Sequence, residues 1–231
     1  MIITISNCGI IKKMDYKIVE VKENILIENN QKAQELRDKL TNKGIFFINV
    51  MASPGSGKTT LLVQLINRLK KDFSIGVMEA DIDGDVDADR IQKLTGVPSI
   101  QVHTGGACHL TAQMVEDAIN AFDVKDINLL ILENVGNLVC PAEFDTGAHL
   151  NLVLLSIPEG DDKPLKYPLM FEVANIVAIS KIDTLPAFNF DFNKCENNIH
   201  LRNKDIPIFK ISALKNEGID ELASAIKNRI K

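Results

Sequence analysis

The 231-residue sequence has few of the features that mark secreted, membrane or nucleic-acid-binding proteins. Its four cysteines are widely spaced and form no C-x-x-C pair, so a disulfide framework is not predicted and a reducing cytoplasm is the expected location. Its apolar runs are only as long as a β-strand, which excludes a transmembrane helix. Its first residues lack the order of a signal peptide, in which positive charge precedes the apolar segment. A formal net charge of −5 gives no electrostatic reason to expect a nucleic-acid or anionic-membrane partner.

Short β-rich runs alternate with helical periodicity along most of the chain. The predicted strands cover 46–51, 74–80, 99–104, 129–133, 151–157, 175–180 and 206–212, and the predicted helices cover 24–43, 59–71, 85–95, 110–122 and 217–230. Several strands are apolar throughout, which is typical of a mostly parallel sheet covered by helices on both faces. Residues 184–200 have weak periodicity and are expected to be partly irregular. No internal repeat or low-complexity linker is present, so we expect one domain over 23–231 after a flexible N-terminal extension over 1–22.

A phosphate-binding loop is the most specific motif in the chain. ASPGSGKT lies between a predicted strand and a predicted helix and fits the P-loop pattern, with Ala52 where glycine is commonest. Its glycines let backbone N–H groups surround the phosphates, and the helix N-terminus adds partial positive charge. Lys58 would reach the β- and γ-phosphates, and the Thr59 hydroxyl would bind Mg²⁺. The predicted phosphate-binding residues are Gly55, Ser56, Gly57, Lys58, Thr59 and Thr60. The sequence therefore predicts an α/β P-loop NTPase fold with a leading N-terminal helix.

Two strand-end segments near the C-terminus favour guanine over adenine. AISKID and ISALKNEGID follow the last two predicted strands, in the order of the NKxD and S-A-K/L segments of GTP-binding proteins. Asp183 would accept hydrogen bonds from guanine N1–H and the 2-amino group, which adenine does not offer, and Lys181 would lay its stem over the base. The loop of Ser212 and Ala213 would offer a backbone N–H to the guanine carbonyl. Ser180 stands where asparagine is usual, which weakens the match but keeps the Asp183 contact. The sequence therefore predicts a G domain that binds GTP and GDP.

Acidic residues follow two of the predicted strands. The run EADIDGDVDADR at 79–90 fits no register of the EF-hand loop, which needs glycine at position 6 and glutamate at position 12, so calcium is rejected. Either Asp81 or Asp87 would complete an Mg²⁺ shell, and the other aspartates suit the start of a helix. Glu133 ends an apolar strand at the Walker-B position and is predicted to serve Mg²⁺ or to orient water. The loop 134–137 is then expected to lie nearest the γ-phosphate.

A cysteine–histidine pair follows one strand and a third thiol follows another. Cys108 and His109 lie in HTGGACHL, and Cys140 lies in ENVGNLVCP. Because loops at the carboxyl edge of a parallel sheet gather around the ligand, these three side chains are expected to meet beside the nucleotide. Thiolate and imidazole suit Ni²⁺, Zn²⁺ and copper ions. Spacing alone fits equally well two structural cysteines beside an unrelated histidine.

Four segments together resemble the HypB family of GTPases, which assist nickel insertion into [NiFe]-hydrogenase. They are ASPGSGKTT, TGGACHL, ENVGNLVCPAEFD and PEGDDKPLKYP, and the resemblance runs from about residue 17 to the C-terminus. It implies a nucleotide-dependent nickel or zinc site formed by Cys108, His109 and Cys140. It also implies a GTP-promoted homodimer with that site at the interface, nickel exchange with the zinc-containing metallochaperone HypA, and action on a hydrogenase large-subunit precursor. Some members carry an N-terminal cysteine-rich or histidine-rich nickel motif, and with only Cys8 in that region we expect no such site here.

Other functions remain as alternatives on the sequence. A urease-type nickel GTPase would carry a Cys-Pro-His motif, which is absent, and a G protein that serves a cobalamin enzyme would not need the three metal-binding residues. A small-molecule kinase or ATPase would share the P-loop but not the role of Asp183. A metal-buffering protein with a vestigial nucleotide site is disfavoured by the three predicted catalytic residues, Lys58, Thr59 and Glu133. The loops contain no evident arginine finger, so GTP hydrolysis is expected to be slow.

Overall fold

The computed structural model describes residues 21–81, 86–122 and 126–230, with side chains described from residue 24 and, after the first gap, from residue 88. The strands are β1 (Phe46–Ala52), β2 (Ile75–Asp81), β3 (Ser99–His103), β4 (Leu129–Glu133), β5 (Leu150–Ser156), β6 (Ile176–Ser180) and β7 (Ile208–Lys210). The helices are α1 (Val21–Asn42), α2 (Lys58–Leu69), α3 (Val86–Thr95), α4 (Ala112–Ala121), α5 (Cys140–Glu143), α6 (Lys163–Lys166), α7 (Pro168–Glu172), α8 (Phe192–His200) and α9 (Ile219–Lys227). Within these described ranges, no helix is long and apolar enough to cross a bilayer.

The seven strands form one parallel sheet in the order β3-β2-β4-β1-β5-β6-β7. β1 lies between β4 and β5, and Ile48 on β1 pairs with Ile131 and with Leu150. The strands are apolar because helices cover both faces. Since all strands run in one direction, their carboxyl ends and the loops that follow meet at a single edge. The predicted fold class is confirmed.

The alternation of side chains along β1 divides the core into two faces. Ile48 and Val50 pack with residues of α2, α3 and α9. Phe47 and Met51 point to the opposite face, where α1 and α4 cover one half of the sheet and α7 and α8 cover the other. Asn49, also on this second face, is buried in an otherwise apolar strand. The second face is therefore covered by two apolar clusters, with a polar side chain on the central strand.

The largest difference from the predicted elements lies in residues 184–200, which were expected to be partly irregular. Their second half is helix α8, and its N-cap Asp191 accepts a hydrogen bond from the backbone N–H of Lys194 at 3.1 Å. The residues that α8 buries are Cys195, Asn198 and Ile199. Because only two of these are apolar, periodicity reveals the helix poorly, and its N-cap is the better signal. Strand β7 is also shorter than predicted.

Helix α1, the predicted leading helix, is bound to the loop after α5 by polar contacts. The Arg37 guanidinium donates to both carboxylate oxygens of Asp145, at 2.8 and 2.7 Å, and to the carbonyl of Ala148 at 2.9 Å. The buried Asn29 side chain donates to the carbonyl of Asp145 and accepts from the backbone N–H of Ala112. These paired groups fix α1 against both the loop and helix α4.

His149 joins α1 to the sheet and is held in its neutral form. Its Nδ1 accepts from the backbone N–H of Phe47 at 2.9 Å, and its Nε2 lies 2.8 Å from the hydroxyl of Thr41. That hydroxyl donates to the carbonyl of Arg37, so Nε2 carries the proton that completes the pair. Burial lowers the pKa of His149 below its ordinary value of 6.5, and the Arg37 guanidinium, paired with Asp145, lowers it further.

Stability is expected to fall as the pH decreases below about 6.5 because of His149. Its pKa is lower in the folded than in the unfolded chain, so the unfolded chain binds the proton first. The contribution of His149 to the free energy of unfolding is complete above the pKa of the unfolded chain. It is lost as the pH falls toward the pKa of the folded chain. Chemical denaturation between pH 7.5 and 5.5 should give a flatter pH profile for His149→Phe than for wild type. His200→Gln serves as the control, and equal slopes for His149→Phe and wild type would contradict the assignment.

Candidate nucleotide and metal site

The P-loop has the backbone geometry of a phosphate cradle. It connects the carboxyl end of β1 to the first residue of α2, and Gly55 and Gly57 adopt φ values of +70° and +97°. Residues with a side chain rarely adopt positive φ angles. Glycine is therefore favoured at these two positions, where the backbone N–H groups turn toward one centre. A cavity of about 580 Å³ lies over the loop. Its lining includes Pro54, Gly55, Gly57, Lys58, Thr59, Thr60, Glu79, Asp81, Arg90, Gln101, Glu133, Asn134, Gly136 and Lys181.

The three predicted catalytic residues meet in this cavity. Lys58 is 8% exposed, and its Nζ lies 3.5 Å from the carbonyl of Ser53 at the start of the loop. The Thr59 hydroxyl donates to Glu133 Oε1 at 3.0 Å. A hydroxyl and a carboxylate so close together form a suitable oxygen donor set for a divalent cation such as Mg²⁺. The residues present therefore fit a nucleotide-bound magnesium ion.

The end of β2 adds further acidic oxygens. Asp81, the last residue of β2, lines the cavity and is exposed, whereas the side chain of Asp87 lies outside the described residues. Glu79 is 2% exposed and stands directly beside Glu133 in the strand register, but sequence reasoning did not select it. The sequence did contain a signal for Glu79, because it is an acidic residue within a strand of mostly apolar side chains. Arg90 on α3 also lines the cavity, and a search of the loops alone missed it.

The loop 134–137 packs directly on the P-loop. Its first residue, Asn134, donates its backbone N–H to the carbonyl of Val50 on β1 at 2.9 Å. A Cβ atom at Gly136 would lie only 3.0 Å from Pro54 Cα, so glycine allows the close approach of the two loops. Glu133 and Cys140 lie before and after this loop. Its position can therefore affect both the carboxylate predicted to serve Mg²⁺ and a thiol predicted to bind a metal.

The predicted guanine-binding residues are grouped at the ends of β6 and β7. Ser212 is fully buried, and its hydroxyl donates to Asp183 Oδ1 in a short hydrogen bond. Lys181, in the left-handed conformation, reaches back to the P-loop and donates from Nζ to the carbonyl of Gly55 at 2.6 Å. Ala213 follows Ser212 and is half-buried. Asp183 and Ala213 do not line the phosphate cavity, and Lys181 connects the two groups of residues.

Ser180, which stands where asparagine is usual, makes a direct contact with the P-loop. It is 4% exposed, and its hydroxyl donates to the carbonyl of Ser56 in the P-loop at 2.9 Å. The bond joins the end of β6 to the phosphate loop. Serine at this position therefore supplies a hydrogen bond between the base-binding and phosphate-binding segments.

Ser180→Ala is expected to weaken GDP binding by about tenfold, since a buried hydrogen bond of roughly 1 kcal/mol is lost and the Ser56 carbonyl loses its donor. Ser180→Asn keeps a donor at that place and should bind GDP within a few-fold of wild type. Titration with a fluorescent GDP analogue measures both. Equal affinities for Ser180→Ala and wild type would contradict the role given to this hydroxyl.

The PEGDDKP segment is also connected to the P-loop. Glu159 accepts from the Ser53 hydroxyl in a short hydrogen bond, and its second oxygen accepts from the backbone N–H and the hydroxyl of Ser156, at 2.8 and 2.7 Å. Asp161 accepts from Lys194 on α8 at 2.7 Å, an ion pair that lowers the pKa of its carboxyl. The segment thus links the end of β5 to both the P-loop and α8.

Cys108, His109 and Cys140 form the cluster that the sequence predicts. Their potential ligand atoms all lie within 4.8 Å of one another, and within the described parts of the chain they are the group of this kind that was found. The Sγ atoms of Cys108 and Cys140 are 2.8 Å apart, longer than a disulfide bond of about 2.05 Å, and Cys108 Sγ lies 3.7 Å from His109 Nδ1. The three side chains are half-buried.

The surroundings orient these side chains. The His109 ring stacks on Phe144 with centroids 3.8 Å apart, and the Asn137 side-chain amide lies 3.4 Å from the carbonyl of Cys108. The loop before the pair begins at Thr104, whose backbone N–H donates to the carbonyl of Asp81 at 3.1 Å. The loop that carries Cys108 and His109 is therefore hydrogen-bonded both to the end of β2 and to the loop 134–137.

Protonation affects the three groups differently. Hydrogen bonding to Cys140, with burial, raises the pKa of the Cys108 thiol, so a metal must displace a proton to bind the thiolate. Burial lowers the pKa of His109, which keeps the imidazole neutral and able to donate its lone pair. Two sulfurs and one nitrogen suit nickel, zinc or copper better than magnesium. Cys195 is fully buried in the α8 core, where burial raises its pKa to about 12, and it is not part of the cluster.

Comparison with known proteins agrees with this arrangement. The family model described as CobW/HypB/UreG, nucleotide-binding domain, matches residues 46–210. The hydrogenase/urease maturation factor HypB of Helicobacter hepaticus is 43% identical over 94% of this chain and 90% of its own length. The hydrogenase maturation factor HypB of Escherichia coli K12 is 44% identical over 89% of this chain and 70% of its own length.

Two crystal structures have the same fold over most of both chains. HypB from Helicobacter pylori in complex with nickel superposes with a TM-score of 0.83 at 40% identity, covering 88% of this chain and 95% of that one. The hydrogenase maturation factor HypB from Archaeoglobus fulgidus superposes with a TM-score of 0.81 at 32% identity, covering 89% and 100%. The chain belongs to the CobW/HypB/UreG family and, within it, to the HypB hydrogenase maturation factors.

Proposed function

We propose that this protein is a GTP-hydrolysing metallochaperone that binds nickel or zinc in a nucleotide-dependent way and assists nickel insertion into [NiFe]-hydrogenase. The observation that carries the proposal is the short connection between its two sites. Glu133 at the nucleotide cavity and Cys140 at the metal cluster are joined by one loop, which packs on the P-loop. A nickel complex of a HypB relative supports the choice of metal.

The nucleotide controls the metal site through the loop 134–137. A γ-phosphate on the P-loop interacts with this loop, since Gly136 already contacts Pro54. Binding of GTP brings Cys140 into place beside Cys108 and His109, and hydrolysis releases the loop and loosens the metal. Such coupling is reciprocal, so the metal must raise GTP affinity by the factor by which GTP raises metal affinity.

The residues of the nucleotide cavity have separate roles in the proposed hydrolysis. Lys58 binds the β- and γ-phosphates, Thr59 binds Mg²⁺ through its hydroxyl, and Glu133 serves the Mg²⁺ shell or orients the attacking water. Either Asp81 or Asp87 makes a further contact with Mg²⁺, and of the two only Asp81 has a described side chain, which lines the cavity. Asp183, held by Ser212, accepts hydrogen bonds from guanine. Turnover is expected to be slow.

The proposed partners follow from the HypB resemblance. With two sulfurs and one nitrogen, the cluster supplies three donors, and tetrahedral coordination needs a fourth from water or a second subunit. A GTP-promoted homodimer that shares this site supplies the additional donors. Nickel exchange with HypA and delivery to a hydrogenase large-subunit precursor complete the proposed role, in the cytoplasm and with neither a nucleic acid nor a membrane as partner.

Metal stoichiometry and molecular mass, measured together, test the proposal. Ni²⁺ and Zn²⁺ binding is measured with GDP and with a non-hydrolysable GTP analogue, and mass is determined by light scattering in the same samples. We expect the analogue to promote a dimer and to tighten metal binding, and we expect Glu133→Gln to slow GTP hydrolysis. If neither the metal affinity nor the molecular mass changes with the nucleotide, the proposed coupling is wrong, and the protein is a GTPase whose metal site is independent of GTP.

A further inference from the structure

A row of three asparagine side chains, two of them buried and one half-buried, crosses the sheet beneath the loop 134–137. Asn134 donates from Nδ2 to Asn49 Oδ1 at 3.0 Å, and Asn49 donates from Nδ2 to Asn151 Oδ1 at 3.1 Å. Asn151 then donates to the carbonyl of Val173, at the end of α7, at 3.1 Å. Asn134 and Asn49 are 1% and 2% exposed. Three neighbouring strands and α7 are thus connected by side-chain amides.

The direction of every hydrogen bond in the row is fixed by its two ends. The Val173 carbonyl can only accept, which turns the amide nitrogen of Asn151 toward it. At the other end, the backbone N–H of Val135 can only donate, and it donates to Asn134 Oδ1 at 2.8 Å. Asn49, between them, must accept from Asn134 and donate to Asn151. A side chain at position 49 that cannot do both breaks the row.

An apolar residue at position 49 would be the simpler way to fill the sheet. Buried amides must keep their hydrogen bonds, and an apolar side chain of similar size carries no such requirement. The row also lies between two cavities. Asn134 lines the nucleotide cavity, while Asn49 and Asn151 line a second cavity of about 610 Å³ on the far side, whose lining includes Pro141 of the metal-binding helix α5. The location of the row indicates that it serves the loop 134–137 rather than the packing of the core.

We infer that Asn49 is a positioning residue for the coupling of GTP to the metal site. It holds Asn134, the first residue of the loop that leads to Cys140, in one orientation from beneath. If this support is lost, the loop can still change position when GTP binds, but its movement no longer brings the Cys140 thiol into place. The inference rests on the proposed function, because it concerns the factor by which GTP raises metal affinity.

Two variants of Asn49 and one matched control test the inference. Asn49→Asp keeps the oxygen that accepts from Asn134 but places a second oxygen against Asn151 Oδ1, and Asn49→Leu removes both hydrogen bonds while filling the space. Asn198→Leu is the control, because Asn198 is a buried asparagine on α8 that donates to the carbonyl of Asp161, outside the row. Thermal unfolding establishes that each variant folds. Asn151→Leu, which breaks the row one step further on, replaces any Asn49 variant that does not.

The quantity measured is the ratio of Ni²⁺ affinities with the GTP analogue and with GDP. We expect a ratio of at least about fivefold in wild type and in Asn198→Leu, a ratio near one in both Asn49 variants, and unchanged GDP affinity throughout. Wild-type ratios in the Asn49 variants would overturn the inference, as would an equal loss in Asn198→Leu, which would indicate a general effect of stability. A ratio of one in wild type would overturn the proposed function itself, and the inference with it.

Discussion

Replacing Cys108 by alanine is expected to lower Ni²⁺ affinity in the GTP-analogue state by at least about 100-fold. Cys108 lies close to both other members of the cluster, 2.8 Å from the sulfur of Cys140 and 3.7 Å from His109 Nδ1. Even residues that only orient a metal ligand contribute about 10- to 100-fold to affinity, so removal of a ligand should cost more. Competition titration with a chromophoric chelator measures the loss.

Cys195→Ala is the matched control for this experiment. It also removes one thiol, but that sulfur is buried in the core around α8, away from the cluster. The control should retain Ni²⁺ affinity in both nucleotide states even if its stability decreases. In Cys108→Ala, the affinity for the GTP analogue measured with Ni²⁺ should equal the affinity measured without Ni²⁺. Unchanged Ni²⁺ affinity in Cys108→Ala would reduce the cluster to two structural cysteines beside a histidine.

Asp183→Asn is expected to reverse the preference of the nucleotide site from GTP to XTP. The asparagine oxygen can still accept the hydrogen bond that Ser212 donates, which leaves the new amide nitrogen facing the base. That nitrogen cannot accept from guanine N1–H but can donate to the 2-oxo group of xanthine. Sites built around such a hydrogen bond discriminate by about 10⁴-fold or more, so the ratio of the two affinities should change by that order.

Asp191→Asn provides the control for the change of charge and shape. Asp191 is the N-cap of α8, and asparagine caps helices as well as aspartate does, so the fold and the GTP preference should both be kept. Competition between GTP and XTP for a bound fluorescent nucleotide gives the ratio for each variant. A kinase or ATPase site would show no reversal in Asp183→Asn, and that outcome would contradict the guanine assignment.

The fold was predictable because local and long-range signals agreed. Apolar strands such as LLILE, followed by turn residues and amphipathic helices, predict a parallel sheet covered on both faces, and the P-loop marks one strand end. Helix α8 was not predicted, because it buries few apolar residues and depends on its cap. The short helices α5, α6 and α7 begin around prolines and are too short to show periodicity.

The grouping of Cys108, His109 and Cys140 was predictable from the sequence, but its geometry was not. Cys108-His109 and Cys140 follow different strands, and the rule that strand-end loops gather at one edge brings them together. The hydrogen bond from Asn137 to the Cys108 loop and the stack of Phe144 on His109 depend on side-chain positions that spacing does not determine.

Polar residues inside apolar strands were the signals that sequence reasoning passed over. Glu79 and Asn49 both interrupt apolar strands, and each burial is costly unless the group is hydrogen-bonded or binds a ligand. Glu79 stands beside Glu133 in the strand register, and Asn49 supports Asn134. Ser180 gave the opposite signal, because a residue that departs from the asparagine pattern still forms a hydrogen bond to the P-loop. Which polar groups meet depends on strand order, which the sequence does not specify.

The central claim is that GTP and the metal control each other's binding, and one equilibrium measurement tests it most directly. The affinity for a non-hydrolysable GTP analogue is measured with and without saturating Ni²⁺, and the affinity for Ni²⁺ is measured with and without the analogue. The account predicts that both affinities rise by the same factor, at least about fivefold. Equal affinity for the analogue with and without Ni²⁺ would contradict it.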